Sequence, residues 1–277
     1  MVFFIPIKEV KIYCRNSNLQ KENNGLNQLE VLRVNHWTPS TFSFSCVRPY
    51  NFRFRSGEFV MIGLNIDGKP VLRAYSIASP NWHEEFEFYS IKVKDGPLTS
   101  KLQQLKERDR IIFRGKPVGT LVNDALLEGK RLFLFSTGTG IAPFTSIIRD
   151  PETYEKFNEV ILFQTCRQIN ELEFGKRTVE SIFKDDLLSE IVSDKLRFFP
   201  TTTREPSQYH GRVTDWLKSK KFEEVIGNDL NPSEDRAMIC GSIAMLNEFK
   251  EICLQKGLVE GSNSSPGHFV IEKAFVD

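Results

Sequence analysis

No H-E-x-x-H, no G-x-S-x-G and no Walker lysine motif occurs in the chain. Zinc peptidase, α/β-hydrolase and P-loop chemistries therefore have no residues to start from. Cysteine is sparse: Cys14, Cys46, Cys166, Cys240 and Cys253 are scattered, with no C-x-x-C pair. Neither a disulfide framework nor a metal site is expected, and a reducing, cytoplasmic setting fits. His36, His83, His210 and His268 are equally dispersed. No apolar run approaches the ~20 residues of a spanning helix, so no membrane insertion is expected. Charge of one sign is also missing. The formal net charge is +1, unlike the strongly basic balance of a general nucleic-acid binder, and nucleic acid is not an expected partner.

What is present is an ordinary globular composition, 40% hydrophobic and 26% charged, over 277 residues. That exceeds the roughly 100–200 residues of one domain, so two are expected. Residues 1–27 begin MVFFIPIKEVKIYC and continue RNSNLQKENNGLN. The opening is too short and too charged for a secretory signal, and it reads as a flexible extension. In residues 28–124, LEVLRV, FSFSCV, EFVMIGLNI, RAYSIAS, EFEFYSIKV and RIIFRG are short, rich in β-branched and aromatic residues, and separated by turns such as Asp67-Gly68 and Asp95-Gly96. This spacing predicts an antiparallel β-barrel, with LTSKLQQLKE its one helical stretch.

From residue 125 to 277 the rhythm changes. RLFLF, EVILFQT, KLRFFP and RAMICG are near-continuous apolar runs, each followed by a helical pattern: APFTSIIRD, ELEFGKRTVESIF, GRVTDWLKSKKF and AMLNEFKEICLQKG. Alternating strands and helices predict a doubly wound α/β fold with a parallel sheet covered on both faces. HFVIEKAFVD alternates like a closing strand.

Three stretches carry chemistry. Thr137-Gly138-Thr139-Gly140 follows the first α/β strand, where ligands of such sheets sit. Its glycines let the backbone come close to a ligand, and the helix behind them offers N–H groups to a phosphate. Pro143 stands where a third glycine of G-x-G-x-x-G would be, and a ligand-free turn would need similar residues. Arg73-Ala74-Tyr75-Ser76 sets a cation, a flat ring and a hydroxyl near one point of a barrel strand. The arginine suits a pyrophosphate and the tyrosine a planar ring. Lys92-Val93-Lys94-Asp95-Gly96-Pro97-Leu98-Thr99-Ser100 breaks a strand at a Gly-Pro turn, and Thr99 or Ser100 is placed to cap the helix that follows.

RAYSIAS, IKVKDGPLTSKL, KPVGTL, STGTGIAPF, TREP, MICGS and a terminal FVIEKAFV, in this order, resemble the bacterial ferredoxin (flavodoxin)–NADP⁺ reductases over about residues 29–277. The resemblance implies an FAD-binding barrel, an NADP(H)-binding α/β domain, and electron transfer from NADPH through FAD to ferredoxin or flavodoxin, or the reverse, by a monomer. It further implies that Arg73 and Ala74 sit at the FAD pyrophosphate, with Tyr75 against the flavin and Ser76 near its reactive nitrogen. Ile91, Lys92 and Val93 would line the ribityl chain, while Gly96, Leu98, Thr99 and Ser100 cradle the pyrophosphate. Thr137, Gly138, Thr139 and Gly140 would receive NADP, and Cys240 and Gly241 would lie where the nicotinamide meets the flavin. Glu272 would be a carboxylate near the flavin and a candidate proton relay. Ala274 would cover the isoalloxazine, and Phe275 would pack near the FAD adenine, as the last strand returns to the flavin.

NADP differs from NAD by a phosphate, which calls for cations and no carboxylate at that point. Arg204, beside Thr203, and Arg212 and Arg167 resemble the family positions that supply them. Two stretches depart from the family pattern: Ile243-Ala244 after Ser242, and Gln164-Thr165-Cys166 before Arg167. Two other readings fit the same build. One is an NAD(P)H-dependent flavin reductase serving an oxygenase or small acceptors. The other is a non-catalytic nucleotide-binding protein.

Overall fold

A computed structural model describes residues 26–273. The extension up to residue 25, with Cys14, and the candidates Ala274 and Phe275 lie outside the described residues. The first half contains β1 (Asn27–His36), β2 (Thr41–Val47), β3 (Phe59–Ile66), β4 (Lys69–Ser76), β5 (Glu85–Ile91), α1 (Thr99–Leu102) and β6 (Arg110–Val118). These strands form one antiparallel sheet in the order β4-β3-β6-β1-β2-β5. Its outer strands approach each other. The Ala78 N–H donates to the Glu87 carbonyl at 2.8 Å, and the Tyr75 and Ser90 hydroxyls lie 3.0 Å apart. The sheet thus curls into a barrel. Strand alternation sends Phe42, Phe44, Phe86, Phe88 and Phe113 inward, where they make a shared aromatic core.

The second half contains β7 (Arg131–Thr137), α2 (Ala142–Ile147), α3 (Pro151–Lys156), β8 (Glu159–Cys166), α4 (Glu173–Lys184), α5 (Leu188–Val192), β9 (Leu196–Thr202), β10 (Tyr209–His210), α6 (Val213–Leu217), α7 (Lys221–Ile226), β11 (Asp235–Gly241), α8 (Ile243–Gln255) and β12 (Phe269–Lys273). All its strand pairs are parallel, in the order β10-β9-β8-β7-β11-β12. The apolar runs are continuous because each strand feeds two cores. Leu132 and Leu134 of β7 pack toward Phe144 and Phe174, while Phe133 and Phe135 pack toward Phe222 and Phe249. After β10 the chain passes to the other side of β7 and lays down β11. The loops after β7 and β11 therefore leave in opposite directions and open a crevice between them.

Three helical expectations need correction. LTSKLQQLKE yields only the four residues of α1, because Leu102 and Leu105 both turn into the barrel core. GRVTDWLKSKKF breaks into α6 and α7. Neither Thr99 nor Ser100 caps α1. Leu98 holds the N-cap position without a side-chain bond. The helical turn has already begun upstream, where the Ser100 N–H reaches the Gly96 carbonyl at 3.2 Å. Among the described residues no helix is long and apolar enough to cross a membrane.

The halves are joined by a common core. Ala78, Tyr89, Leu121 and Val122 pack with Ile147, Phe174 and Val270. Tyr89 stacks on Phe174 at 4.1 Å and 6°, and Trp37 meets the same ring edge-on at 5.6 Å. Such a ring pair contributes roughly 0.5–1.5 kcal/mol beyond the area it buries. Polar stitches run alongside. Thr145 Oγ1 and Arg149 Nη2 donate to the Ala78 carbonyl at 3.1 and 2.6 Å. Ser146 Oγ donates to the Ser79 carbonyl at 2.8 Å, and Arg149 pairs with Glu87 at 2.9 Å.

Candidate cofactor and nucleotide site

A cavity of about 510 Å³ opens at the carboxyl ends of β7, β8 and β9. Thr137, Gly138, Thr139, Thr165, Cys166, Arg167 and Thr203 line it from the parallel sheet, and Ser40, Thr41, Tyr89, Ile91 and Lys92 from the barrel. The turn after β7 is a 3₁₀ segment, Gly138–Ile141, and its Gly138 and Thr139 line the cavity, whereas no residue of α2 does. Gly138 has φ +55, which favours glycine. At Gly140 a Cβ would stand 2.3 Å from the Cys240 carbonyl oxygen. At Gly241 it would stand 2.2 Å from Thr137 Oγ1. The turn and the end of β11 therefore touch backbone to backbone, and only glycine permits it.

Beside this cavity lies a recess of about 380 Å³ lined by Arg167, Thr203, Arg204, Gly211, Arg212 and Asp215. The loops carrying the arginines are bonded together. The Thr203 N–H donates to the Cys166 carbonyl and the Arg204 N–H to the Arg167 carbonyl, each at 3.0 Å. Arg212 is the residue from which α6 starts. All three arginines are exposed, and none forms a salt bridge among the described residues. Asp215 was not foreseen. It is a carboxylate in a recess for which only cations were expected.

On the barrel, Arg73, Ala74, Tyr75 and Ser76 are all half-buried on β4. Arg73 Nη1 donates to the Leu72 carbonyl at 2.9 Å. Tyr75 meets Phe88 edge-on at 6.3 Å, and burial raises its hydroxyl pKa. Lys92 Nζ donates to the Thr38 carbonyl at 2.8 Å. Val93 is exposed, Leu98 is buried and Ser100 is half-buried. A Cβ on Gly96 would lie 2.3 Å from Thr99 Oγ1. That hydroxyl is buried and has no hydrogen-bond partner among the described residues.

Glu272 of β12 lies opposite Cys240 of β11 in register. Its Oε2 accepts the Thr120 N–H at 3.1 Å. Burial pushes its pKa from 4.5 up to about 7; the Thr120 N–H opposes the shift and Glu58 adds to it. Burial, with Glu272 nearby, likewise raises the Cys240 thiol well above its ordinary value, so it stays protonated. Because the folded state holds the Glu272 proton more tightly than the unfolded chain, this contribution to stability is complete below about pH 4.5. It is lost as pH rises through about 7. Glu272→Gln keeps the acceptor for Thr120 and is expected to stabilise the protein by up to about 3 kcal/mol at pH 8 and by less than about 1 kcal/mol at pH 5. Denaturant melts at the two pH values test this, and an equal effect at both would refute it.

The sequence reading did not single out Tyr89, Glu171, Met245 or Glu248, which also line the cavity. Strand alternation places Tyr89 on the same face as Ile91 and was the available signal for it. Glu171 announces itself only in three dimensions, where Oε2 accepts the Arg167 and Gln168 N–H groups at 2.9 and 3.0 Å.

Residues 30–122 match the family described as oxidoreductase FAD-binding domain. Residues 134–251 match the oxidoreductase NAD-binding domain. The chain is 58% identical over 248 residues to a flavodoxin/ferredoxin–NADP reductase of Rhodobacter capsulatus, covering 89% of this chain and 92% of that one. It is 49% identical over 256 residues to a ferredoxin–NADP reductase of Azotobacter vinelandii, covering 92% and 99%. Among solved structures, a ferredoxin NADP⁺ reductase from Neisseria gonorrhoeae with bound FAD and NADP superposes with a TM-score of 0.81 at 29% identity, covering 91% and 99%. With both halves and nearly all of its length matched in this way, the chain belongs to the flavodoxin/ferredoxin–NADP reductase family.

Proposed function

We propose that this protein moves electrons between NADPH and a ferredoxin or flavodoxin through bound FAD, residues 28–124 forming the flavin half and 125–277 the nucleotide half. The observation that carries the reading is the cavity at the sheet's switch point, which the barrel completes from the other side. A nucleotide entering there is delivered to the barrel wall. A second observation supports the flavin site. The buried, unpartnered Thr99 hydroxyl beside the Cβ-free Gly96 is what a pyrophosphate oxygen would complete.

In this reading Arg73, Ala74, Thr99 and Ser100 hold the FAD pyrophosphate, Tyr75 and Ser76 hold its ring, and Ile91, Lys92, Val93 and Leu98 hold the chain between. Bound flavin supplies the redox chemistry, accepting two electrons as a hydride and passing them on singly. Thr137, Gly138, Thr139 and Gly140 receive the nucleotide. The arginines and Thr203 take its 2′-phosphate, and Cys240 and Gly241 leave room for close approach of the nicotinamide. Cys240 acts by its small size, since its protonated, buried thiol is no nucleophile. Glu272, poised near neutrality, exchanges a proton beside the flavin. Cys46, Cys166, Cys240 and Cys253 are buried and free, so none of them offers an accessible thiol to a competing redox reaction.

Purified protein is expected to show flavin absorption bands that NADPH bleaches under anaerobic conditions much faster than NADH does, with reoxidation by added ferredoxin or flavodoxin. A colourless protein that takes up no FAD would overturn the proposal. Equal rates with both nucleotides and no reoxidation by either carrier would favour a flavin reductase instead.

A further inference from the structure

We propose that Glu205 is a positioning residue for the arginine recess: its carboxylate fastens the loop after β8 to the loop after β9 and so keeps Arg167 and Arg204 on one anion. The inference rests on the reading of that recess as the 2′-phosphate site. Glu205 follows Arg204 in the TREP motif.

Glu205 Oε2 accepts the Ile169 N–H at 2.7 Å. With the two bonds that Glu171 accepts from Arg167 and Gln168, every N–H of residues 167–169 is committed to a carboxylate. Consecutive N–H groups after a parallel strand are otherwise a ready anion site. Here they are spent inside the protein, and an anion is left to the guanidinium groups. Guanidinium groups on exposed loops discriminate only if the loops are held still.

The anchor itself is held. The Glu205 carbonyl accepts from Thr202 Oγ1 and lies 3.2 Å from His210 Nδ1. Packing does not do this work, because Arg167, Arg204 and Glu205 are all exposed; the carboxylate adds to the backbone bonds from the Thr203 and Arg204 N–H groups to the Cys166 and Arg167 carbonyls and extends the tie to residue 169. Beside the fastening lies a hollow of about 640 Å³ lined by residues that include Gln168, Asn170, Arg204 and Glu205. A released loop has room to move into it. The carboxylate is tolerated beside a phosphate site because it acts as an acceptor, a task that a neutral amide oxygen also performs.

The test compares Glu205→Ala with Glu205→Gln in full-length, FAD-loaded protein, using adenosine 2′,5′-bisphosphate and adenosine 5′-monophosphate as probes in calorimetric titrations. Glu205→Ala is expected to weaken the bisphosphate about tenfold, the size of one hydrogen bond to a charged group, and the monophosphate less than about twofold. Glu205→Gln is expected to restore the bisphosphate to within about twofold of the parent. Without ligand, hydrogen exchange at residues 167–170 should quicken in Glu205→Ala and not in Glu205→Gln. Unchanged bisphosphate affinity in Glu205→Ala, or failure of glutamine to rescue, overturns the proposal. A parent protein that binds both probes equally overturns the reading of the recess, and the selective role of Glu205 with it. The exchange experiment reports the fastening separately from that reading.

Discussion

Replacing Arg204 by alanine is expected to raise the KM for NADPH by about 10–100-fold and the KM for NADH by less than about threefold, with kcat little changed in both cases. The selectivity follows from position. Arg204 sits in a side recess with Arg167 and Arg212, next to the main cavity rather than in it, so a nucleotide without the 2′-phosphate does not meet it. The size follows from charge. A guanidinium on phosphate makes charge-assisted hydrogen bonds worth about 1.5–3 kcal/mol each, and this one has no salt bridge to break among the described residues. Asp215 in the same recess opposes the phosphate, which makes each of the three cations count. Steady-state kinetics with both nucleotides measures the effect. Equal increases in the two KM values would remove Arg204 from the phosphate.

Gly140→Ala is expected to be among the most damaging single-methyl changes in the nucleotide half. The added Cβ would stand 2.3 Å from the Cys240 carbonyl oxygen and 2.7 Å from its carbon. Both are backbone atoms of β11, a strand paired on its two sides with β7 and β12. No rotamer relieves such a contact, so the 3₁₀ turn must lift away from the sheet. A loss of about 2–4 kcal/mol in stability is expected, a fall in melting temperature of roughly 5–15 °C. NADPH turnover should fall by more than about tenfold, since misplacement of bound groups by an ångström costs that much or more. Thermal melts and single-turnover flavin reduction measure the two effects. A variant with parental stability would mean that the turn is not pressed against β11.

The barrel and the parallel sheet were legible because their periodicities differ. Strands such as β5 alternate against a single core, whereas β7 and β8 run apolar throughout because each feeds two. The arginine recess was half legible. Arg167, Arg204 and Arg212 were found as cations near the carboxyl ends of strands or a helix start, but Asp215 and Glu205 were not singled out. Nothing local marks a carboxylate that accepts a distant N–H. α1 was overestimated because a run of good helix formers says nothing about where the chain must turn to begin β6. The shared core was not legible at all. Tyr89 and Phe174 belong to separate halves, and their stacking depends on how two folds dock, which no local pattern encodes.

That shared core has a consequence for anyone who recombines reductases. The frontier between the halves is drawn through the middle of a hydrophobic cluster, so a chimera cut at the obvious joint near residue 125 inherits mismatched partners for Ala78, Tyr89 and Leu121. Exchanging nucleotide modules among such enzymes requires transplanting the far wall of the seam as well. In evolutionary terms, the two modules have to diversify as a pair.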